Sequence, residues 1–266
     1  MLIERFINSK KDNVQSGGGN KKCYLFDEYA LLYGAFKEEE LKKQIIISNN
    51  LNKKGVAIIP TLEYQIDIPA GETGYARGYM LQPRAPGNCL YVRQMPDKDY
   101  KTRLKQIANM EYDILDKFIS DWLAIIGAGL QVDPSKCENF FFTDTGISFI
   151  DLNLQSRRPS LKTTFLEIVS VLTGLGLVMT ATTDDCVQIV KKVANSFLSR
   201  GLSIHEIQDA LSSHMYLLGA KANQQHVDSV IESLTKGHNL KQATKNMKSP
   251  PTHLTLIAQS RGDHNL

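Results

Sequence analysis

The sequence has few of the residues that build metal centres and histidine-dependent catalytic sites. Its four cysteines form no CxxC pair and are far apart in the chain, at Cys23, Cys89, Cys137 and Cys186. This spacing argues against a zinc site and favours a reducing, cytosolic setting. All six histidines lie at or beyond residue 205, so a histidine-dependent nucleophilic triad is not expected in the earlier part of the chain.

Long apolar runs and a strong net charge are also missing. No segment approaches the ~18 apolar residues of a membrane span. The first residues, MLIERFINSKK, lack the apolar core and the cleavage site of a secretory signal. The net charge of +3 is too small to indicate nucleic-acid binding. The sequence therefore predicts no membrane span, no classical signal peptide and no nucleic-acid partner.

What remains is an ordinary globular composition, with 42% hydrophobic and 22% charged residues over 266 positions. That length holds one large domain or two lobes. Residues 1–87 have strand patterns and one helix, predicted over 37–51, whose first turn is acidic as the helix dipole favours. The cluster PRAPG at 83–87 contains the strongest turn signals in the chain, so we expect a lobe boundary there.

Beyond that boundary the pattern is helical. Residues 99–126 have apolar side chains at helical spacing and are followed by Gly-Ala-Gly. Residues 163–179 are apolar on all sides, which is typical of a buried helix. Three more helical patterns occupy 184–245. The last residues, 246–266, are polar with a Pro-Pro break and predict a loose tail.

Polar residues flank two short apolar runs in the stretch QVDPSKCENFFFTDTGISFIDLN, residues 131–153. FFF and ISFI predict two short strands, and TDTG between them is typical of a hairpin turn. Asp133, which precedes a proline, is also typical of a turn. Asp151 is different, because a carboxylate directly after a buried strand is costly unless a cation pairs with it.

The order of these features resembles the protein-kinase-like superfamily, and in particular the minimal bacterial, effector-type kinases without a regular activation segment. The features are SGGGN at 16–20, the helix with an acidic first turn, the turn cluster, and an Asp-x5-Asn pattern followed by a hairpin and a second Asp. The resemblance implies an α+β, two-lobed fold with a small antiparallel-sheet N-lobe over 1–87, a helical C-lobe over 88–245 and a loose tail. It also implies ATP and Mg²⁺ as cofactors.

The resemblance assigns roles to individual residues. Asp133 corresponds to the catalytic-loop aspartate that orients the acceptor hydroxyl, and Lys136, or Ser135, would lie near the γ-phosphate. Asn139 and Asp151 correspond to the pair that holds Mg²⁺. The glycines that would cover the phosphates, because a missing Cβ lets the backbone approach them, are Gly17, Gly18 and Gly19.

Further nucleotide contacts would come from the small lobe. The resemblance implies a hinge near Met80 to Gln82, whose backbone groups would hold the adenine. It also implies an ion-pairing glutamate in the first turn of the helix over 37–51. We take this residue as Glu40, with Glu38 and Glu39 as alternatives.

The sequence departs from the family pattern around the catalytic loop. Gln131 and Val132 stand where the family has His-Arg, and the loop carries one extra residue before Asn139. DLN replaces the DFG motif, and no long activation segment follows it. This shortness resembles the minimal bacterial kinases and the small-molecule phosphotransferases more than the regulated kinases.

The most serious departure concerns the small-lobe lysine, because Leu32 occupies its position. Lys21 or Lys22, on the strand after the glycine loop, would supply the missing charge. Side chains alternate along a strand, so only one of the two can face the phosphates; Lys22 is favoured. The alternative is that the site is degraded and the protein is a pseudokinase.

The function expected from the resemblance is an ATP- and Mg²⁺-dependent phosphotransferase, a protein Ser/Thr kinase of minimal bacterial type with a protein substrate. A small-molecule phosphotransferase and a pseudokinase that binds a partner are the alternatives. The apolar character of 165–180 favours a protein acceptor slightly over a small alcohol. The expected location is cytoplasmic, or a host cytosol if the protein is a delivered effector.

Overall fold

The first part of the chain builds a five-stranded antiparallel sheet. The computed structural model describes residues 2–9, 14–15, 21–72, 74–92, 95–174 and 183–248. The elements of this part are α1 (Leu2–Ser9), β1 (Val14–Gln15), β2 (Lys21–Leu25), β3 (Tyr29–Phe36), α2 (Glu38–Lys53), β4 (Glu63–Ile68) and β5 (Ala76–Pro83). The strands lie in the order β1-β2-β3-β5-β4, which makes β3 the central strand and β4 an edge strand. The helix α2 lies between these two strands in the sequence.

Different helices cover the two faces of this sheet. On one face α1 buries Ile3 against Tyr24, Leu31 and Leu81. The sequence patterns did not predict this short helix. On the other face Leu41 of α2 packs against side chains of β3 and β5. Because neighbouring residues of a strand point to opposite faces, the strands β3 and β5 contribute to both apolar clusters.

The rest of the chain is mainly helical. Its elements are β6 (Asn88–Cys89), α3 (Asp97–Asn109), α4 (Tyr112–Gly127), β7 (Leu130–Gln131), a 3-10 helix (Cys137–Asn139), β8 (Phe140–Thr143), β9 (Gly146–Phe149), β10 (Asn153–Leu154), α5 (Leu161–Thr173), α6 (Thr183–Leu198), α7 (Ile204–Ser213), a second 3-10 helix (Met215–Leu218) and α8 (Gln224–Lys248). The hairpin predicted from FFF and ISFI is present as β8 and β9. Its buried rings Phe140 and Phe149 pack against Phe118 and Trp122 of α4, so the hairpin is anchored to the helical core.

One predicted helix is two helices in the structure. The segment 99–126 divides into α3 and α4, with Met110 and Glu111 in an extended conformation, at ψ angles of 141° and 145°, between them. Neither proline nor glycine marks this break. Lys192 of α6 donates to the carbonyls of Ala108 and Met110 at 2.6 and 2.7 Å. A distant side chain thus satisfies the carbonyls at the end of α3, which a helix terminus leaves unpaired.

The apolar helix predicted over 163–179 ends earlier than expected. Its counterpart α5 stops at Thr173, and Gly174 follows in the left-handed conformation, with φ of 61°, as is common after a helix. Residues 175–182 lie outside the described residues. Of the predicted tail 246–266, the first residues belong to α8 and those from 249 onward are not described. Within the described ranges, no helix is both long and apolar enough for a transmembrane span.

Backbone hydrogen bonds join the sheet lobe to the helical lobe. The N–H of Ile59 donates to the carbonyl of Phe149 at 3.0 Å, and the N–H of Phe149 donates to Ala57 at 2.8 Å. The buried carboxylate of Asp121 in α4 accepts a hydrogen bond from the N–H of Ala57 at 3.1 Å. These bonds attach the segment after α2 to the hairpin that leads into Asp151, so the small lobe and this aspartate have a fixed relative position.

Candidate active site

Asp133 and Asp151 lie at the same end of a short two-stranded ladder. β7 pairs with β10 in antiparallel register, with Gln131 opposite Asn153. Asp133 is two residues after Gln131 and Asp151 is two residues before Asn153. Since antiparallel partners run in opposite directions, both aspartates lie beyond the same end of this ladder.

Asp151 stands in an unusual backbone conformation at the end of the hairpin. Its φ is 53°, and it is the one non-glycine residue with positive φ in the described part of the chain. Such a conformation costs free energy and is maintained only where the surrounding structure requires it, which occurs most often at functional sites. The N–H of Ile150 donates to the carbonyl of Asn139 at 2.9 Å, so the residue before Asp151 is tied to the predicted metal ligand.

The cation that pairs with Asp151 is Lys21. The expectation that Lys22 faces the site is therefore wrong. Along β2, Lys22 is exposed and Tyr24, on the same side of the strand, is buried under α1. Lys21 is on the opposite side, across from Gly34 of β3, where no side chain limits its reach. The strand is oriented by the packing of α1 on Tyr24.

Lys21 and Asp151 border a cleft of about 290 Å³ between the two lobes. This volume is close to the lower limit of small-molecule pockets. Leu32, at the position of the family lysine, also lines it, so Lys21 supplies charge from the neighbouring strand. Other lining residues come from α2, the segment after it, β5 and the residues around Asp151, and include Glu40, Gln44, Ser48, Ile59, Thr61, Tyr75, Met80, Gln82 and Asn153.

Met80 and Gln82 line this cleft, but they do not form a hinge. Both lie inside β5, where Met80 is paired with Leu32 of β3 and with Tyr64 of β4. Gln82 is paired with Ala30 of β3. Their backbone groups therefore belong to the sheet and their side chains reach the cleft. The expectation that these backbone groups would hold an adenine does not fit this placement, because the chain leaves β5 only after Pro83.

The acidic first turn of α2 makes local ion pairs. Glu40 lines the cleft, and its carboxylate pairs with Lys37 at 3.0 Å. Glu38 and Glu39 pair with Lys42 at 2.8 and 3.2 Å. Among the described residues, the partner of Lys21 is thus Asp151, and the Lys–Glu pair implied by the resemblance is not formed in this structure.

Asn139 ends the 3-10 helix that precedes the hairpin and is 5% exposed. Its Nδ2 is buried and has no hydrogen-bond partner among the described residues. A buried amide group without a partner is costly. This group is a donor and is therefore available to a hydrogen-bond acceptor rather than to a metal ion. Asn139 is not one of the residues that line the cleft.

The carboxylate of Asp133 is held by its own loop. Its Oδ1 accepts hydrogen bonds from the N–H and the hydroxyl of Ser135 at 3.0 and 2.6 Å, and Lys136 Nζ lies 3.4 Å from Oδ2. Partial burial acts to raise the pKa of Asp133, but the bonds from Ser135 and Lys136 outweigh it and hold the pKa below its usual value. Asp133 is therefore a carboxylate at neutral pH, and Lys136 faces it.

Asp133 borders a second cavity, of about 380 Å³. Its walls include Trp122, Arg157 and Glu167, and burial raises the pKa of Glu167. Asn153 lines both this cavity and the cleft that contains Asp151. The structure thus has two adjacent spaces, one beside Lys21 and Asp151 and one beside Asp133, that meet at Asn153.

The residues present fit a divalent cation that is held jointly with phosphate oxygens. Within the described ranges no three His, Cys, Asp or Glu side chains form a metal cluster, so an all-protein metal cage is absent there. Asp151 offers carboxylate oxygens at the cleft, and Mg²⁺ is commonly bound by one or two carboxylates plus substrate phosphates. The side-chain oxygen of Asn139 is also a donor of the type that Mg²⁺ accepts. Gly17, Gly18 and Gly19 lie outside the described residues.

Comparison with known proteins gives similarity at the level of structure. No protein-family model matches the sequence, and no curated protein matches it significantly. WaaP in complex with acyl carrier protein is similar at 14% identity over 86% of this chain and 91% of that chain, with a TM-score of 0.44. The Legionella pneumophila LegK7 effector kinase is similar at 12% identity over 86% of this chain and 66% of its own, with a TM-score of 0.38.

A third similar structure is a choline/ethanolamine kinase family protein from Mesorhizobium loti, at 10% identity over 94% of this chain and 90% of that chain, with a TM-score of 0.39. A pseudokinase is also among the similar structures. At such identities and partial superpositions, none of these likenesses bears on what the chain acts on. The element order confirms the expected two-lobed α+β architecture: a small antiparallel sheet with one helix on its cleft face, then helices around a hairpin.

Three features of the site were not found from the sequence. The inward orientation of Lys21 depends on α1, which the patterns did not predict. The hydrogen bond from Gln82 to Thr61 joins residues from separate strand regions, and the double role of Asn153 depends on the ladder between β7 and β10. The one signal available for Lys21 was its position next to the glycine loop, which Lys22 shares.

Proposed function

We propose that this chain is an ATP- and Mg²⁺-dependent phosphotransferase. The observation that carries the proposal is the ion pair between Lys21 and Asp151 at the cleft between the lobes. A buried or half-buried carboxylate needs a cation, and phosphate binding needs one as well. Lys21 is proposed to serve both, and its position supports an active site despite the leucine at position 32.

The proposed roles follow from charge and position. Lys21 neutralises phosphate oxygens. Gly17, Gly18 and Gly19, which precede its strand in the sequence, are proposed to bind the phosphates through backbone N–H groups. Asp151 and Asn139 would hold Mg²⁺, which, when bound, neutralises the charge of the transferred phosphoryl group. These groups stabilise charge that develops during transfer.

Asp133 is proposed to act on the acceptor. Its carboxylate accepts a hydrogen bond from the acceptor hydroxyl and orients the oxygen toward the γ-phosphorus. As the new O–P bond forms and the bond to the ADP leaving group breaks, the hydroxyl proton passes to this carboxylate. Because the pKa of Asp133 is below its usual value, proton transfer is late and orientation is the main contribution. Lys136, 3.4 Å from Asp133, adds positive charge beside the transferred group.

The acceptor we propose is a Ser or Thr hydroxyl of a protein, as the apolar character of α5 favours. The finding that favours a different acceptor is the cavity of about 380 Å³ beside Asp133. It is large enough to enclose a small alcohol, so a small-molecule phosphotransferase is the second candidate. A protein acceptor would place one side chain in this cavity, and a small alcohol would lie wholly within it.

Labelled ATP tests the reaction type. The wild-type chain, incubated with Mg²⁺ and either γ- or α-labelled ATP, is expected to release or transfer the γ-label alone. Asp151→Asn is expected to lose this turnover, while Asp144→Asn, an exposed aspartate in the β8–β9 turn, retains it as the matched control. Transfer of the α-label, or full turnover by Asp151→Asn, contradicts the proposal. Binding of ATP without any turnover by the wild type favours the pseudokinase alternative.

A further inference from the structure

Few backbone donors are free where the chain leaves β5. Pro83 and Pro86 have no N–H, and the N–H of Arg84 donates to the carbonyl of Glu28 at 2.8 Å. Further back, Met80 lies in a strand that is paired on both sides. A base bound at this end of the cleft therefore meets side chains rather than a row of backbone N–H groups.

Gln82 lies at the correct separation from Lys21 to meet a nucleobase. Lys21 is opposite Gly34 of β3, and Gln82 is opposite Ala30 of the same strand. Four residues of strand correspond to about 13 Å, and β2 and β5 lie on opposite sides of β3, about 10 Å apart. The two backbone positions are therefore about 16 Å apart, and the two long side chains reduce this gap to the reach of an extended nucleotide from its base to its phosphates. Both side chains line the cleft, so phosphates at Lys21 place the base near Gln82.

The amide of Gln82 is oriented by its neighbours. Its Nε2 donates to the hydroxyl of Thr61 at 3.0 Å, and the carbonyl of Thr61 accepts a hydrogen bond from Asn49 of α2 at 3.0 Å. Thr61 is 7% exposed, so this support is rigid. Within the described residues the amide makes no other hydrogen bond. Its Oε1 acceptor and its second N–H donor are therefore left for a ligand.

We infer that Gln82 determines nucleobase specificity by pairing its amide with the 6-amino group and an adjacent ring nitrogen of adenine. An amide that presents one acceptor and one donor side by side matches this donor–acceptor edge, as glutamine does when it reads adenine in DNA. A purely structural role, the hydrogen bond to Thr61, uses one N–H of the amide. It does not account for the Oε1 acceptor and the second N–H. The inference rests on the proposed binding of ATP.

Titration calorimetry with ATP and with purine riboside triphosphate, which lacks the 6-amino group, tests this inference. The wild type is expected to bind ATP about tenfold more tightly, since a bidentate amide–adenine pair contributes ~1–3 kcal/mol of discrimination. Gln82→Met keeps the length of the side chain, removes the amide and is expected to bind both nucleotides equally. Thr61→Val keeps the shape, removes the orienting hydroxyl and is expected to reduce the ratio partly.

Each outcome decides between the inference and the function on which it rests. If the wild type binds both nucleotides equally, or if Gln82→Met keeps the wild-type ratio, the inference is wrong and ATP binding stands. If Gln82→Met weakens both nucleotides by the same factor, the residue supports the pocket and does not select the base. If neither nucleotide binds to the wild type, the proposed function is wrong together with the inference.

Discussion

The ammonium group of Lys21 and the carboxylate of Asp151 form an ion pair between the two lobes, across 130 positions of the sequence. Their side chains are 32% and 23% exposed, so the pair is accessible from the cleft and a ligand can reach both partners. A nucleotide with Mg²⁺ would offer phosphate to Lys21 and a cation to Asp151. Under the proposed function, the ion pair keeps each charge balanced until a nucleotide with Mg²⁺ replaces it.

Replacement of Lys21 is expected to reduce turnover, whereas replacement of its neighbour Lys22 is not. Lys21→Met should reduce γ-phosphate turnover about 10²–10³-fold, the usual effect of removing one group that stabilises the charge of a transition state. Lys22→Met is the matched control, since the Lys22 side chain is exposed on the other side of β2, and should retain turnover. The measurement is the release of label from γ-labelled ATP at saturating Mg²⁺. If Lys22→Met loses more turnover than Lys21→Met, Lys22 is the residue that neutralises the phosphates.

Asp133→Asn is expected to separate chemistry from binding. The amide keeps the size of the side chain but removes the charge that orients the acceptor hydroxyl and the group that takes its proton, so kcat should fall about 10²–10⁴-fold, while the affinity for Mg·ATP stays within about twofold. Affinity is read from nucleotide titration and kcat from label transfer to a hydroxyl acceptor. Ser135→Ala, which removes one hydrogen bond to Asp133, should lower kcat less. A large loss of nucleotide affinity in Asp133→Asn would place this residue in the nucleotide site instead.

The ion pair between Asp116 and Arg200 is expected to make stability depend on pH in the acid range. Two hydrogen bonds from the guanidinium, at 2.7 and 3.0 Å, hold the pKa of Asp116 below its usual value. A carboxyl group whose pKa is lower in the folded state stabilises the fold above its unfolded pKa and loses this contribution as pH falls. Asp116→Asn should therefore lower the free energy of unfolding by about 1–2 kcal/mol at pH 7.

The difference between wild type and Asp116→Asn should shrink as pH falls below about 4, the usual pKa of an aspartate. Urea unfolding at several pH values measures it. Ser199→Ala, a neighbouring change that leaves both strong bonds of Asp116 intact, should show no such narrowing. A constant difference between pH 7 and pH 3 would show that the carboxylate charge of Asp116 does not contribute.

Alanine substitutions at two glycines with positive φ measure the cost of backbone strain separately from the cost of steric overlap. Gly174 has φ of 61°, and a Cβ there would lie 2.9 Å from ring atoms of the buried Tyr91. Gly55 has φ of 84° and no atom within 4 Å of such a Cβ. Gly55→Ala should cost about 1 kcal/mol from conformation alone, and Gly174→Ala a further ~1–3 kcal/mol from overpacking. Thermal or urea unfolding measures both; equal costs would mean that Tyr91 moves aside without penalty.

Local sequence patterns predicted the elements near the site better than the contacts between them. The hairpin formed by FFF and ISFI was predictable because two short apolar runs around a polar turn favour one structure. The break between α3 and α4 was not, since Lys192, more than 80 residues later in the chain, satisfies the end of α3. The helix α1 was missed although Leu2, Ile3, Phe6 and Ile7 lie at helical spacing, and its place over the sheet depends on packing against distant residues.

The sequence by itself determined the order of the chemical groups: a glycine-rich segment, a lysine pair, and then Asp133, Asn139 and Asp151 around a hairpin. That order follows from residue type and spacing, which are properties of the chain alone. The tertiary structure decided which lysine serves Asp151, because the face of β2 depends on α1 packing over Tyr24. It also decided that Gln82 presents its side chain to the cleft, because pairing on β3 keeps the backbone of β5 within the sheet.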